Sequence, residues 1–299
     1  MPLWSPSANT PTAKVARATG GAVRVLSHQD TPALHKLLDA DPVANVTVTA
    51  AVRQRGSAGP GKSRAGALIL GVDGAQAGEL QAACWLGSNV IPVGGDAADG
   101  ELFGLAAGAL RRRVSSIYGR AEPVLALFDA TRWNNHREVR PNQPLMVITG
   151  APAVEPLPGV RPSRMEENAE VERACAAMFT EELGFSPYQQ GGAQYRDRIR
   201  GLIRSGHSLI SVDEPSGQII FKAEFGAVID EVAQIQGVWV NPRWRGRGLA
   251  APGMAAVVEY GLQLAPTVSL YVNSWNIPAV RTYERVGFRY DGAYATVLF

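Results

Sequence analysis

The stretch Gln236-Gly-Val-Trp-Val-Asn-Pro-Arg-Trp-Arg-Gly-Arg-Gly-Leu-Ala-Ala251 decides the fold of the second half of this chain. From Gln236 to Val240, valines alternate with glycine and tryptophan, a period-two pattern of β-forming residues that predicts a strand. Asn241-Pro242 then forms a turn, and an apolar helix is predicted to open at Leu249. The stretch therefore predicts a strand, a basic glycine-rich loop and a helix start, in that order.

The basic loop is typical of a phosphate-binding site. It carries Arg243, Arg245 and Arg247 among Gly246 and Gly248, directly before the predicted helix. A helix N-terminus presents unpaired N–H groups and a partial positive charge. Glycines let the backbone close around an anion, and arginines add forked donors that fit phosphate oxygens. The sequence therefore predicts that a phosphorylated ligand binds at this loop.

The size and composition of the chain limit its organisation and its partners. With 299 residues, two domains are expected, and a net charge of +2 argues against a nucleic-acid partner. Cys84 and Cys175 match no metal or redox spacing, and the four histidines are scattered. No metal is therefore expected, and both cysteines are expected to be small buried residues in a reduced, cytoplasmic compartment.

The sequence gives no sign of a membrane partner. No run approaches the roughly 20 apolar residues that span a bilayer. Residues 1–21 are rich in Ser, Thr, Pro and Ala without the apolar core of a secretory signal, so they are predicted to form a disordered tail.

Hydrophobic periodicity predicts two α/β (α+β) domains, over residues 22–150 and 163–299, joined by a proline-rich linker over residues 151–162. Strands are predicted over residues 22–26, 67–70, 80–93, 114–118, 141–149, 208–212, 218–229, 232–240, 268–272 and 288–299. Helices are predicted over residues 30–38, 101–113, 123–133, 168–183, 194–204, 249–264 and 277–285. Residues 43–52 fit a helix or a strand. Residues 208–240 are predicted to form an antiparallel meander.

The two halves follow the same order of elements, which suggests a duplication. Residues 83–118 resemble residues 236–272 in their succession of strand, loop, helix and strand. The loop of the first half carries Asp96 and Asp99 where the second half carries arginines. Because two carboxylates repel a pyrophosphate, the first half is expected to lack the phosphate site.

Two motifs in the second half resemble one known family. Arg243-Trp-Arg-Gly-Arg-Gly248 fits the Arg/Gln-x-x-Gly-x-Gly/Ala signature of the GCN5-related N-acetyltransferases, the GNAT superfamily. The downstream stretch Asn273-Ser-Trp-Asn-Ile-Pro-Ala-Val-Arg-Thr-Tyr-Glu-Arg-Val-Gly-Phe288 resembles its second signature. The resemblance covers residues 160–299 well and residues 22–150 weakly, as in an actinobacterial group with a degenerate N-terminal GNAT-like domain. It implies two tandem GNAT-like domains, each a mixed, mostly antiparallel sheet flanked by helices.

The resemblance implies that acetyl-CoA binds in the C-terminal domain, at the splayed centre of the sheet. Val238, Trp239 and Val240 would offer backbone groups to the pantetheine amides. A strand N–H near Val238 would polarise the thioester carbonyl and stabilise the oxyanion. The pyrophosphate would be held by the backbone N–H groups of Arg245, Gly246, Arg247, Gly248, Leu249 and Ala250. An acceptor amine would then attack directly, without a covalent enzyme intermediate.

For two residues of the second motif, the resemblance implies a functional role, and each of them also has a structural role that would explain its presence. Tyr283 stands where the family often places the tyrosine that protonates the leaving thiolate, although it would equally pack its helix against the sheet. Asn276 stands where family members contact the pantetheine arm. It is also suited to cap the helix that begins at Ile277, and these two roles are compatible.

The general base has no clear counterpart in the sequence. Many family members place a glutamate on the strand before the basic loop, where this chain has Gln234 and Gln236. Glu224 and Glu231 are the nearest carboxylates. If Glu224 faces inward, it is a buried carboxylate and a candidate base; if outward, it is solvated or paired with Lys222 or a neighbouring strand. Glu231 is expected to be a turn residue, and a water relay without a dedicated base is also open.

The sequence thus predicts an acetyl-CoA-dependent N-acetyltransferase acting on a primary amine of a small molecule, peptide or protein. A non-catalytic acyl-CoA-binding, scaffold or regulatory protein is the alternative, since the strand carboxylate is missing. The acceptor cannot be read from the sequence, and both a monomer and a homodimer are open.

Overall fold

A computed structural model describes residues 10–61, 66–190 and 192–299 of the chain, which divides into two compact units. Unit 1 comprises Met1–Leu145 and Gly292–Phe299, and unit 2 comprises Met146–Asp291. These limits differ from the sequence-based domains at the linker and at the chain end. The proline-rich segment belongs to unit 2, because the N–H of Ala153 donates to Val286 O and that of Leu157 to Pro252 O, both at 2.8 Å.

Unit 1 is a mixed sheet with helices on both faces. Its elements are α1 (Pro11–Ala18), β1 (Arg24–Val25), α2 (Thr31–Asp39), α3 (Pro42–Arg55), β2 (Leu68–Asp73), β3 (Leu80–Leu86), β4 (Asn89–Gly94), α4 (Ala97–Leu110), β5 (Ser116–Arg120), α5 (Ala121–Thr131), β6 (Glu138–Ile148) and, from the chain end, β12 (Arg289–Leu298). The strand order is β1-β2-β3-β4-β5-β12-β6. β4 and β5 run parallel, while β1 to β4 are antiparallel neighbours and β12 is antiparallel to β5.

Alternating strand residues build two cores in unit 1. Leu70 and Cys84 face α4 and α5, where Phe103 and Leu127 are buried. The intervening residues, such as Ile69 and Ala83, face α2 and α3 and pack with a second buried cluster. This alternation is what a period of two predicts for a sheet covered on both faces.

The predicted tail is wrong where α1 forms. Residues 1–9 lie outside the described part of the chain, but Pro11–Ala18 is a helix. Thr10 caps it, since its Oγ1 accepts a hydrogen bond from the N–H of Ala13 at 3.2 Å. Val15 is fully buried in the same core as Phe103. One buried residue in a short helix leaves too weak a periodic signal for the sequence to reveal.

Three other elements of unit 1 settle or correct the sequence-based prediction, and capping explains two of them, α3 and α4. Residues 43–52, which fitted helix or strand, are helical in α3, because Asp41 Oδ1 accepts from the N–H of Ala44 at 3.1 Å. Residues 89–93 do not prolong the preceding strand but return antiparallel to it as β4. Helix α4 begins at Ala97, ahead of the predicted residue 101, because Asp96 and Asp99 cap it.

Unit 2 contains the antiparallel meander that the sequence predicts. Its elements are the end of β6, β7 (Arg161–Pro162), α6 (Asn168–Leu183), α7 (Gly192–Arg204), β8 (Ser208–Asp213), β9 (Gln218–Val228), β10 (Val232–Val240), α8 (Ala250–Leu264), β11 (Thr267–Tyr271) and α9 (Ile277–Val286). The strand order is β6-β11-β10-β9-β8-β7, with β10 and β11 parallel and β7 to β10 antiparallel. Each unit is therefore a mixed, mostly antiparallel sheet flanked by helices, which confirms the predicted fold class.

The two faces of the unit 2 sheet carry different cores. On the α8 face, Phe221 and Phe225 pack with Met254 and Val258. On the α6 face, Trp239 packs with a smaller cluster from α6, α7 and β8. No helix within the described residues has the length and hydrophobicity needed to cross a membrane.

Candidate functional site

The basic loop after β10 leads directly into the N-terminus of α8. Asn241 anchors its start, because its Oδ1 accepts from the N–H of Arg243 at 3.2 Å and its Nδ2 donates to Ile219 O at 3.0 Å. Gly246 and Gly248 have left-handed φ values of +75° and +74°, which side chains other than glycine rarely tolerate. A Cβ at either glycine would meet nothing within 4 Å, so the space beside the loop is open.

The first turn of α8 has N–H groups that no side chain in the described part of the chain caps. Leu249 occupies the N-cap position and makes no side-chain hydrogen bond to the helix. The N–H groups of Ala250 and Ala251 lie in that turn, where an α-helix has no internal acceptors. An uncapped helix start beside an open, cationic loop fits an anionic ligand.

The three arginines of the loop have different surroundings. All three are exposed. Arg245 is engaged within unit 2, since its Nη2 lies 2.5 Å from Glu181 Oε2 and its Nε donates to Val240 O at 2.9 Å. Arg243 makes one long hydrogen bond, 3.4 Å to Gln218 Oε1. Arg247 has no hydrogen-bond or ion-pair partner in the described part of the chain, so its guanidinium is available to a ligand.

Strands β10 and β11 part next to this loop. They pair in parallel from Val232↔Thr267 to Gln234↔Ser269, and β10 then continues to Val240 without further ladder pairing to β11 among the described residues. β10 also bulges between Gln236 and Trp239. The unpaired edge leaves backbone groups of β10 available to an extended ligand.

The side chains at the end of β10 point into the two cores. Trp239 is 8% exposed on the α6 face, where its Nε1 donates to Glu181 Oε1 at 3.4 Å. Val238 and Val240 are half-buried against the core of the α8 face. Of their backbone groups, the Val240 oxygen already accepts from Arg245 Nε, and the pairing of these three residues with a pantetheine arm stays a prediction.

Asn276 caps α9. Its Oδ1 accepts from the N–H of Ala279 at 3.3 Å, and Pro278 lies in the first turn. The side chain is half-buried. The structure thus shows the capping role, whereas the contact with a pantetheine arm stays a prediction.

Tyr283 lies in α9 within the core of the α8 face. It is 8% exposed and packs edge-to-face on Phe288, with 6.0 Å between the ring centroids. Burial raises the pKa of its phenol above the usual value, so the hydroxyl keeps its proton at neutral pH. Packing is therefore an observed role of Tyr283, whereas the donation of its proton to a thiolate stays a prediction.

Glu224 faces inward on the α6 side of β9 and is 2% exposed. Its Oε1 accepts from Lys222 Nζ at 2.8 Å and from the Cys175 thiol at 3.0 Å, and its Oε2 lies 3.1 Å from Arg198 Nη2. Burial alone would raise the pKa of this carboxyl. The charges of Lys222 and Arg198 outweigh that effect and lower the pKa of Glu224 to about 2.

These contacts argue against Glu224 as the general base. Both of its oxygens are engaged by cationic groups, and a carboxylate with so low a pKa has little tendency to take a proton from an amine. Glu231 lies at the turn between β9 and β10, as predicted.

Lys222, Cys175 and Arg198 are the residues of this cluster that the sequence did not single out for function. Lys222 and Glu224 stand two residues apart in an apolar strand, which places both on one face. That spacing was the one sign in the sequence that Lys222 could pair with Glu224. Cys175 and Arg198 carried none, because they reach the cluster from α6 and α7 through tertiary packing.

The corresponding loop of unit 1 holds its own carboxylates at the helix N-terminus. Asp96 Oδ1 accepts from the N–H groups of Ala98 and Asp99, at 2.8 and 3.2 Å. Asp99 is 3% exposed; its Oδ2 accepts from the N–H of Asp96 at 3.2 Å and from Gln81 Nε2 at 3.0 Å. The N–H groups that would bind an external anion are thus already satisfied in unit 1.

Two family models match separate parts of the chain. Residues 175–288 match the acetyltransferase (GNAT) family, and residues 69–171 match a domain of unknown function, DUF4081. The GNAT match contains both motifs described above, which confirms the resemblance for the C-terminal part. No curated protein sequence matches this chain.

Solved structures with the same fold cover nearly the whole chain. A GCN5-related N-acetyltransferase from Sphaerobacter thermophilus is 21% identical with a TM-score of 0.60, over 92% of this chain and 94% of that one. A GNAT-family acetyltransferase from Colwellia psychrerythraea is 15% identical with a TM-score of 0.55, over 93% and 99%. A tandem GNAT protein from the clavulanic acid biosynthesis pathway is 15% identical with a TM-score of 0.53, over 92% and 97%. At these identities the likeness shows a tandem GNAT fold.

Proposed function

We propose that this chain, whose C-terminal part matches the acetyltransferase (GNAT) family, is an acetyl-CoA-dependent N-acetyltransferase with its catalytic site in unit 2. One observation carries the proposal. An uncapped helix N-terminus and an open basic loop stand at the end of a strand that parts from its parallel neighbour. This arrangement offers donors for a pyrophosphate and, next to them, a free strand edge for the amide-containing arm of CoA.

The basic loop binds the pyrophosphate of acetyl-CoA, and β10 binds its pantetheine arm. The N–H groups from Gly246 to Ala250 bind the pyrophosphate, whereas the N–H of Arg245 donates to Pro242 O at 3.3 Å, and the Arg247 guanidinium adds charge. Arg245 instead holds the loop in place through Glu181 and Val240. The backbone of Val238, Trp239 and Val240 pairs with the pantetheine amides, and Asn276 contacts the same arm from the start of α9.

The reaction is a direct attack of a primary amine on the thioester carbonyl. The N–H of Val238 stabilises the negative charge that develops on the carbonyl oxygen. The carbon–sulfur bond then breaks, and Tyr283 gives its phenolic proton to the leaving thiolate. Burial raises the pKa of the phenol, so the hydroxyl is protonated when the thiolate forms. The phenolate then regains a proton from the attacking nitrogen, which loses one to become an amide. The acceptor is an amine of a small molecule, a peptide or a protein.

The ammonium form of the acceptor loses its proton to water instead of to a buried carboxylate. This follows from the ion pairs that hold Glu224 in its charged form. A second function, a non-catalytic acyl-CoA-binding protein, is favoured by this same lack of a base on the strand. Turnover decides between the two functions.

The test is calorimetry of acetyl-CoA binding followed by CoA release with a panel of primary amines, for the wild type and Tyr283→Phe. We expect binding by both proteins, turnover by the wild type and a turnover about 100-fold slower in the variant, because the leaving group loses its acid. Binding without turnover on any amine would favour the binding protein, and absence of binding would exclude both functions. Equal turnover of the two proteins would remove Tyr283 from the mechanism.

A further inference from the structure

The bulge in β10 lies at the place where the thioester carbonyl is expected. Gln236 pairs with Glu224 and Trp239 pairs with Lys222, so Gly237 and Val238 together stand opposite the single residue Ala223 of β9. Gly237 has a left-handed φ of +60°. A bulge of this kind takes a peptide group out of the regular ladder and turns it to a new direction.

A buried lysine holds the displaced peptide. Lys222 is 0% exposed, and its Nζ donates to the backbone oxygen of Gly237 at 3.0 Å and to Glu224 Oε1 at 2.8 Å. The third contact of the ammonium is Met178 Sδ, at 3.7 Å. All three donors of the ammonium therefore have an acceptor.

We infer that Lys222 is a positioning residue that fixes the Gly237–Val238 peptide so that the N–H of Val238 faces the opening between β10 and β11. In a trans peptide the C=O and the following N–H point in opposite directions. Since the Gly237 carbonyl points to the ammonium on the α6 side of β9, the Val238 N–H points away from that ammonium, at a position where β10 no longer pairs with β11 among the described residues. The inference rests on the proposed function, in which this N–H stabilises the oxyanion.

The charge of Lys222 also strengthens the donor that it positions. A cation bound to a peptide oxygen draws electron density toward that oxygen and makes the N–H of the same peptide a better hydrogen-bond donor. Glu224 holds the ammonium in place, and Cys175 and Arg198 in turn hold Glu224. The cluster therefore acts through the backbone and touches no reacting atom.

Stability alone does not account for this cluster. Replacing a buried ion pair by apolar residues of similar size is often neutral or stabilising, because the desolvation of two charges offsets their attraction. Phe221, Ala223 and Phe225, the neighbours along β9, are all apolar and buried. An apolar side chain at position 222 could not donate a hydrogen bond to the Gly237 carbonyl. The need for that donor explains the charged pair at positions 222 and 224.

The test compares the wild type with Lys222→Met and with the double variant Lys222→Met/Glu224→Gln. The double variant removes both charges, so that no unpaired charge is left buried if the single variant fails to fold. Lys36→Met is the matched control, since Lys36 forms an exposed ion pair with Glu79 in unit 1. Thermal unfolding and acetyl-CoA calorimetry verify that each protein is folded and binds.

The decisive measurement is the carbonyl stretching frequency of isotope-labelled acetyl-CoA bound to each protein, by difference infrared spectroscopy. We expect a higher frequency in the Lys222 variants, because the hydrogen bond from Val238 N–H weakens, with acetyl-CoA affinity within about threefold of the wild type. With an accepted amine, kcat falls roughly 100-fold and the KM for acetyl-CoA changes little. The control variant behaves as the wild type.

The outcomes separate this inference from the proposed function. If the wild type binds no acetyl-CoA, the proposed function fails and the inference falls with it. If the wild type binds and the folded Lys222 variants show the wild-type carbonyl frequency, the inference alone is overturned. A loss of affinity equal to the loss of turnover, with an unchanged frequency, would show that Lys222 only supports the structure.

Discussion

The loops that follow β4 and β10 occupy equivalent places in the two units and differ in how their helix N-termini are used. In each unit a strand leads through a glycine-containing loop into a helix and then into a parallel strand. In unit 1, Asp96 and Asp99 accept the hydrogen bonds of the helix N-terminus. In unit 2 the helix start has no side-chain cap and is preceded by arginines. The same backbone plan thus gives a helix N-terminus capped by carboxylates in one unit and an uncapped N-terminus beside a basic loop in the other.

A second difference concerns the helix after the parallel strand. Counted from the proline near the start of each helix, Phe128 of α5 stands where Tyr283 of α9 stands. Both rings are buried or half-buried among aromatic neighbours. Packing therefore needs only an aromatic ring at this position, and the hydroxyl of Tyr283 is an addition in unit 2. Unit 1 lacks both the open helix end and the phenol.

The largest expected effect is on acetyl-CoA affinity, when the N-terminus of α8 in unit 2 receives an aspartate cap like that of α4 in unit 1. Leu249→Asp places a carboxylate at the N-cap of α8, where it accepts the free N–H groups and repels a pyrophosphate. We expect acetyl-CoA affinity to fall about 1,000-fold, the loss of two charge-assisted hydrogen bonds, while the helix gains about 1 kcal/mol. Calorimetry and thermal unfolding measure the two effects.

Leu249→Asn is the control for this change. It caps the helix without a charge, so its affinity should lie between those of the wild type and Leu249→Asp. Wild-type affinity in Leu249→Asp would show that the N-terminus of α8 is not the phosphate site.

A smaller effect distinguishes two arginines of the basic loop. Arg247→Ala should weaken acetyl-CoA binding about 10-fold, with a flatter dependence on salt, because an exposed guanidinium then no longer reaches the phosphates. Arg245→Ala should change the affinity by no more than about threefold and the stability by at most about 1 kcal/mol, since its ion pair with Glu181 is exposed. Calorimetry at several salt concentrations tests both variants. The reverse order of the two affinities would contradict the roles that their contacts indicate.

The smallest effect is expected from removing the aspartate that caps the N-terminus of α4 in unit 1. Asp96→Ala leaves two N–H groups of α4 without their acceptor and should cost about 1 kcal/mol, seen as faster amide hydrogen exchange at the start of α4. Acetyl-CoA affinity should not change. Asp197→Ala, on an exposed surface of α7, is the control. If Asp96→Ala created a second acetyl-CoA site, the lack of arginines in the loop between β4 and α4 would not be what prevents binding there.

The sequence predicted much of the fold and part of the site. The period-two pattern up to Val240 and the glycines of the basic loop were confirmed as β10 and as the entry to α8. Asn276 was confirmed as the cap at the start of α9. These features depend on neighbouring residues, whose conformational preferences act over a few positions. The roles assigned to Tyr283 and to the basic loop in catalysis and binding stay predictions.

Contacts between distant residues were beyond the reach of the sequence. It raised Glu224 as a candidate base, whereas its partners Cys175, Lys222 and Arg198 engage both carboxylate oxygens. It also treated the arginines of the loop alike, whereas Glu181 engages Arg245 and, among the described residues, Arg247 has no hydrogen-bond or ion-pair partner. These outcomes change the chemistry expected of each residue, because charge and proton affinity depend on what lies within a few ångströms.

By itself, the sequence determined the order of most strands and helices, the basic, glycine-rich character of the loop at residues 243–248 and the acidic character of the loop at Asp96 and Asp99. Only the tertiary structure decided that β12 completes the sheet of unit 1 and that Lys222 bonds the bulge at Gly237. The physical reason is the range of the interactions. Backbone preferences and capping are set by near neighbours along the chain, whereas strand partners and buried ion pairs are set by packing between segments far apart in sequence.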